Sequence, residues 1–116
     1  MAIDGILVLP VFDKDLKNLR KRHRKLAPLW KAVDAIVAED YDLLRSKYRD
    51  HSLTGQWAGF RELHVEGDWL LIYTIDAGEL LLVLTRTGSH DELYSSRTSA
   101  KDIRSYRNAQ GRILGE

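Results

Sequence analysis

Two apolar runs, "DWLLIYTI" at 68–75 and "ELLLVLTR" at 79–86, limit this chain more than any other feature. Each has strand length and neither alternates with polar residues, so both read as central strands covered on both faces. The link "DAG" fits a three-residue hairpin with Gly78 at the left-handed position. Just upstream, "FRELHV" places Phe60, Glu62 and His64 on one face and Arg61, Leu63 and Val65 on the other. The short "EG" at 66–67 allows a second hairpin. A meander of three antiparallel strands results, and the rest of the chain must cover it.

With 116 residues, the cover comes from one domain with a single core. "GILVLPVF" reads as a short first strand whose run ends at Pro10. The spacing then becomes helical. Phe12, Leu16, Leu19, His23 and Leu26 recur at intervals of four and three, with Asp13 as the expected N-cap. Pro28 interrupts this pattern and suits the first turn of a second helix, which carries a stripe of Leu29, Val33, Ile36 and Val37. Two helices joined tightly form an αα-hairpin. The order β-α-α-β-β-β predicts an α+β fold, with the helical hairpin packed on an antiparallel sheet.

The charge balance narrows the function. Formal net charge is +1, so overall electrostatics do not announce a nucleic-acid partner. There is no cysteine, which excludes a disulfide framework and thiolate metal sites. "MAIDGILVLP" has an acid where a signal peptide needs positive charge, and its apolar stretch is too short to span a bilayer; no membrane partner and a cytoplasmic location are expected. Residues 95–116 differ from the domain at 1–94. Arg97, Lys101, Arg104, Arg107 and Arg112 face only Asp102 and Glu116 there, while Ile103, Tyr106, Ile113 and Leu114 could line a short helix. This basic C-terminal extension reads either as a mobile, weakly docked tail or as an aid to binding.

The polar residues suited to chemistry are His51, His64, Asp68, Arg86, His90 and Tyr94. In an antiparallel hairpin the start of one strand lies beside the end of its partner, so Asp68 and Arg86 are expected close together. His64 ends the preceding strand on the same rim, and His90 follows Arg86 after "TGS". Singly, each is an ordinary solvated residue, and an Arg–Asp pair on neighbouring strands contributes little. Together they supply two groups that titrate near neutral pH and a fork of donors matched to phosphate. That kit suits cleavage of RNA through its own 2′-hydroxyl. Three histidines and an aspartate are also permitted zinc ligands, but the close ligand pairs of zinc motifs are missing, and neither metal nor cofactor is expected.

The elements "DHSLTGQW", "RELHVEGDWLLIY" and "RTGSHDELY", in that order, resemble the signature of YafQ-type mRNA interferase toxins of the RelE/ParE toxin–antitoxin superfamily. The resemblance covers roughly Phe12 to Tyr94. It implies a microbial-ribonuclease-like fold, a toxin that cleaves mRNA in the ribosomal A site, and a cognate antitoxin. The family's functional positions fall on His51, His64, Asp68, Arg86 and His90, with Tyr94 where phenylalanine is usual. The implied reaction is transesterification. His64 or Asp68 takes the 2′-hydroxyl proton, Arg86 and His51 stabilise the phosphoryl charge, and His90 protonates the leaving 5′-oxygen.

Departures from the pattern matter. "EGDW" replaces the family's "EPDW", and Ser52 and Ala58 stand where relatives often carry lysines. The tail could replace that missing charge or cover the site. "KNLRKRHRK" still provides Lys17, Arg20, Lys21, Arg24 and Lys25 as a patch for RNA or ribosome backbone, while His23 in the same run reads as structural. The alternative reading is a ParE-like toxin that binds DNA gyrase without cutting nucleic acid, for which the histidine–aspartate group has no use.

Overall fold

The computed structural model describes residues 3–115. Its elements run β1 (Gly5–Val8), α1 (Pro10–Lys21), α2 (Ala27–Val37), α3 (Tyr41–Ser46), β2 (His51–Ser52), a 3-10 turn (Gly55–Trp57), β3 (Arg61–Glu66), β4 (Trp69–Asp76), β5 (Leu81–Gly88), α4 (His90–Tyr94), α5 (Ala100–Tyr106) and β6 (Arg112–Ile113). The six strands form one sheet in the order β2-β3-β4-β5-β1-β6. The expected antiparallel meander is its centre. β1 joins parallel to β5, after a crossover that contains the helices, so the sheet as a whole is mixed.

The two apolar runs do lie between two layers. Trp69, Leu71, Tyr73, Leu82 and Leu84 face α1 and α2, packing with Phe12, Leu16, Leu29 and Val33. Leu70, Ile72 and Val83 face the other way, onto Trp57, Phe60, Leu93, Ile103 and Tyr106. The alternation slips once: Ile72 pairs with Arg86 but Tyr73 with Leu84, which leaves Thr85 as the extra residue of a bulge.

Local expectations differ in four places. Pro10 does not merely end β1; it opens α1, its missing N–H costing nothing at the first turn, and Asp13 lies inside that turn rather than capping it. α1 stops at Lys21, and His23 takes a left-handed φ of 58° in the link to α2. In the β4–β5 hairpin the left-handed residue is Leu80 (φ 56°), not Gly78, because the Asp76 carboxylate accepts from the Gly78 and Glu79 N–H groups and tightens the turn ahead of it. The fourth difference is the tail. Ser99 and Asp102 form a capping box that starts α5, and Ile103 and Tyr106 enter the second core. β6 pairs with β1, and Arg112 makes a two-toothed ion pair with Asp13. The segment is docked, not loose.

Candidate active site

The site lies at the rim where β3 ends, β4 begins and β5 passes into α4. Gly67 turns the chain with φ +52°, a value barred to a proline, so the β3–β4 turn differs from any that proline could make there. It delivers Asp68 to the start of α4. The Asp68 Oδ1 accepts from the His90 backbone N–H at 3.2 Å and lies 2.5 Å from the His90 ring Nδ1. This double contact, chiefly the ring hydrogen bond, holds the Asp68 carboxyl below the usual carboxylate range. A carboxylate on Nδ1 fixes the imidazole tautomer and leaves Nε2 for proton transfer.

A second histidine stands opposite. The His64 and His90 ring centroids are 5.9 Å apart, edge to face. Proton donors and acceptors act at about 2.6–3.2 Å from the reacting atoms, so two rings at this separation can flank one phosphodiester. Behind His64 sits Glu62, which the strand alternation had placed on the same face but which was not singled out as functional. Its nearly buried carboxylate lies 3.4 Å from His64 Nε2 and 3.7 Å from His51 Nε2, and it accepts from the Tyr94 hydroxyl. Burial, then the hydrogen bond to Glu62, pushes the Tyr94 phenol far above its ordinary value, so Tyr94 stays protonated and holds Glu62. The available signal was spacing: Glu62 is two residues from His64 on one strand face. His51 is brought in by β2, which pairs with β3 at Glu62.

Arg86 is placed differently from expectation. It does not meet Asp68. β1 leaves β5 after Val8, and α1 crosses the vacated edge, where Asp15 accepts from the Thr87 N–H and from Arg86 Nε and Nη2 at 2.7 and 3.1 Å. Arg86 Nη1 donates to Thr98 and to the Tyr106 hydroxyl. Burial, the largest single influence, opposes its charge, but Asp15 and the Tyr106 hydroxyl together raise the guanidinium's pKa. Four donor contacts are thus committed internally. Arg86→Ala would strand a buried Asp15 carboxylate and should destabilise the fold by about 3–5 kcal/mol. Thermal melting with and without the substitution measures this; an unchanged melting temperature with lost function would instead restore Arg86 to the site.

The basic patch is exposed as expected at Lys17, Arg20, Lys21, Arg24 and Lys25. Arg24 lies 4.5 Å over the Trp69 ring and 3.8 Å from Glu66, which brings it beside this rim. Arg22 pairs with Glu92, the carboxylate of the Ser89 capping box that starts α4. A cavity of about 160 Å³ between Arg22, Arg24, Trp69 and Asp68 adjoins the site.

A small α+β domain with two carboxylate-backed imidazoles on one sheet rim has the parts that acid–base chemistry needs. The chain belongs to the YafQ toxin family, described as bacterial toxins of type II toxin–antitoxin systems, whose sequence model matches residues 6–95. It is 39% identical over 83 residues to the mRNA interferase toxin YafQ of Escherichia coli strain K12, covering 72% of this chain and 87% of that one. The YafQ toxin in the crystal structure of the E. coli DinJ–YafQ toxin–antitoxin complex superposes with a TM-score of 0.69 at 35% identity, over 82% of this chain and 100% of the other. A metal-bound toxin from Helicobacter pylori gives a TM-score of 0.70 at 42% identity, over 81% and 100%. Among the described residues here, no three His, Asp or Glu side chains gather as a metal-binding group. Nor is any helix among them long and apolar enough to cross a membrane.

Proposed function

We propose that this toxin is an mRNA interferase: an endoribonuclease that cuts ribosome-bound mRNA through the RNA's own 2′-hydroxyl, acts in the cytoplasm, and is neutralised by a cognate antitoxin. The observation that carries this reading is the paired arrangement of His90 on Asp68 and His64 on Glu62, face to face on one rim. The relatives' names support the RNA substrate.

Asp68, bonded to His90 and held in its anionic form, is a poor base. His64, with Glu62 behind it, takes the 2′-hydroxyl proton. The 2′-oxygen attacks phosphorus, and His90 Nε2 gives its proton to the departing 5′-oxygen while Asp68 steadies the ring. Each proton transfer contributes about 10²–10⁴-fold. With Arg86 committed to Asp15, the phosphoryl oxygens are met by the guanidinium of Arg24, which lines the same cavity as Asp68, and by the His51 ring. Tyr94 touches no reacting atom in this account; it fixes Glu62. The exposed cations of α1 meet RNA backbone, which positions the toxin without reading sequence.

The test is reconstitution. Purified toxin added to ribosomes programmed with a defined mRNA should cut it, leave the same RNA intact without ribosomes, and leave DNA gyrase supercoiling unaffected. Intact mRNA together with inhibited supercoiling would favour the gyrase-binding alternative.

A further inference from the structure

We infer that the segment beyond Tyr94 is a positioning element of the active site, working through Tyr106 and Arg107 on the turn that carries Trp57. The inference rests on the ribonuclease reading above and adds to it a device outside the family match, which ends at residue 95.

The turn needs holding. Backbone bonds from Trp57 N–H to Thr54, Ala58 N–H to Gly55 and Phe60 N–H to Trp57 hold it from within, but Gly55 (φ +63°) and Gly59 (φ +95°) bracket it, each in a region that glycine enters at little cost, so the backbone at its two ends is the least restricted. The end of α5 adds outside support. The Tyr106 ring stacks on Trp57 with centroids 5.9 Å apart and planes 30° apart. Arg107 Nη2 donates to the Gln56 and Ala58 carbonyls at 2.9 and 2.7 Å, the two residues flanking Trp57, and its guanidinium lies 5.1 Å from the Phe60 ring. These bonds satisfy turn carbonyls and fix the indole plane.

The far side of Trp57 reaches the site. The Trp57 and Tyr94 rings meet edge to face with centroids 6.0 Å apart, and the Tyr94 hydroxyl donates to Glu62, the carboxylate that faces His64 and His51. Contacts therefore run from Arg107 and Tyr106 through Trp57 and Tyr94 to Glu62. An exposed tail arginine bonded to turn carbonyls acts by geometry, whereas a charge that served RNA binding would stay free for phosphate.

The experiment is steady-state cleavage of ribosome-bound mRNA by wild type, Arg107→Ala and Arg107→Lys. Arg107 is exposed, so folding is not at stake, and melting temperature is followed alongside. Arg107→Ala should lower kcat about tenfold, well within what a 1 Å misplacement can cost, with KM unchanged. Arg107→Lys should recover part of the loss. Tyr106→Phe, which keeps the stacked ring, should stay near wild type while Tyr106→Leu falls with Arg107→Ala. A rise in KM at constant kcat, growing with salt, would make the segment a charge tail and overturn the inference, as would no change in either constant. Wild type that cuts no ribosome-bound mRNA would instead sink the ribonuclease reading, and this inference with it.

Discussion

Replacing His90 with alanine should slow mRNA cleavage by about 10²–10⁴-fold and barely move the melting temperature. The side chain is half-exposed at the first position of α4, whose start is secured by the Ser89–Glu92 capping box and by Asp68 accepting the backbone N–H. Asp68→Asn should also cut the rate sharply, because an amide can still accept that backbone bond but cannot hold the ring tautomer as a carboxylate does. His23→Asn is the control: the position lies in the left-handed link between α1 and α2, a conformation asparagine tolerates. Single-turnover cleavage and thermal melts on the three variants check this. A His90 variant as fast as wild type would remove the general acid from the account.

Truncation after Ser96 has the opposite profile: it should unfold the protein. The deleted segment takes Ile103 and Tyr106 out of the second core, uncovers Ile72, Val83 and Leu93, and deprives Arg86 of Thr98 and Tyr106. Deleting one buried isoleucine costs about 2–5 kcal/mol and a large aromatic about 3–5, against a typical total stability of about 5–15 kcal/mol. Circular dichroism of the truncated chain should show little cooperative melting. A truncated protein that melts like wild type would mean the segment contributes no core.

The central strands, the helical stripe of α1 and the gathering of His64, Asp68 and His90 were legible because each follows from a regular period or from hairpin geometry. Arg86 was misplaced because register counting assumes unbroken pairing. The bulge at Thr85 and the departure of β1 after Val8 turn its side chain toward Asp15, and neither leaves a mark in the residue pattern. The parallel pairing of β1 depends on tertiary docking in the same way. In the tail, the helical spacing of Ile103 and Tyr106 was visible, but that they complete a core depends on Trp57 and Leu93 meeting them, which the residue pattern does not show. Glu62 escaped notice because a lone glutamate on an alternating strand face ordinarily points to solvent, and here α4 folds over it through Tyr94.

In the proposed mechanism, side chains on this rim move protons while the RNA supplies its own nucleophile. The most direct test is end-group analysis of the mRNA fragments from a purified ribosome reaction. Attack by the 2′-hydroxyl must leave a 2′,3′-cyclic phosphate, or its hydrolysed monophosphate, on the upstream fragment and a free 5′-hydroxyl on the downstream one. Those are the ends predicted for wild type, formed far more slowly by the His90 variant. Downstream fragments bearing 5′-phosphates would contradict the mechanism.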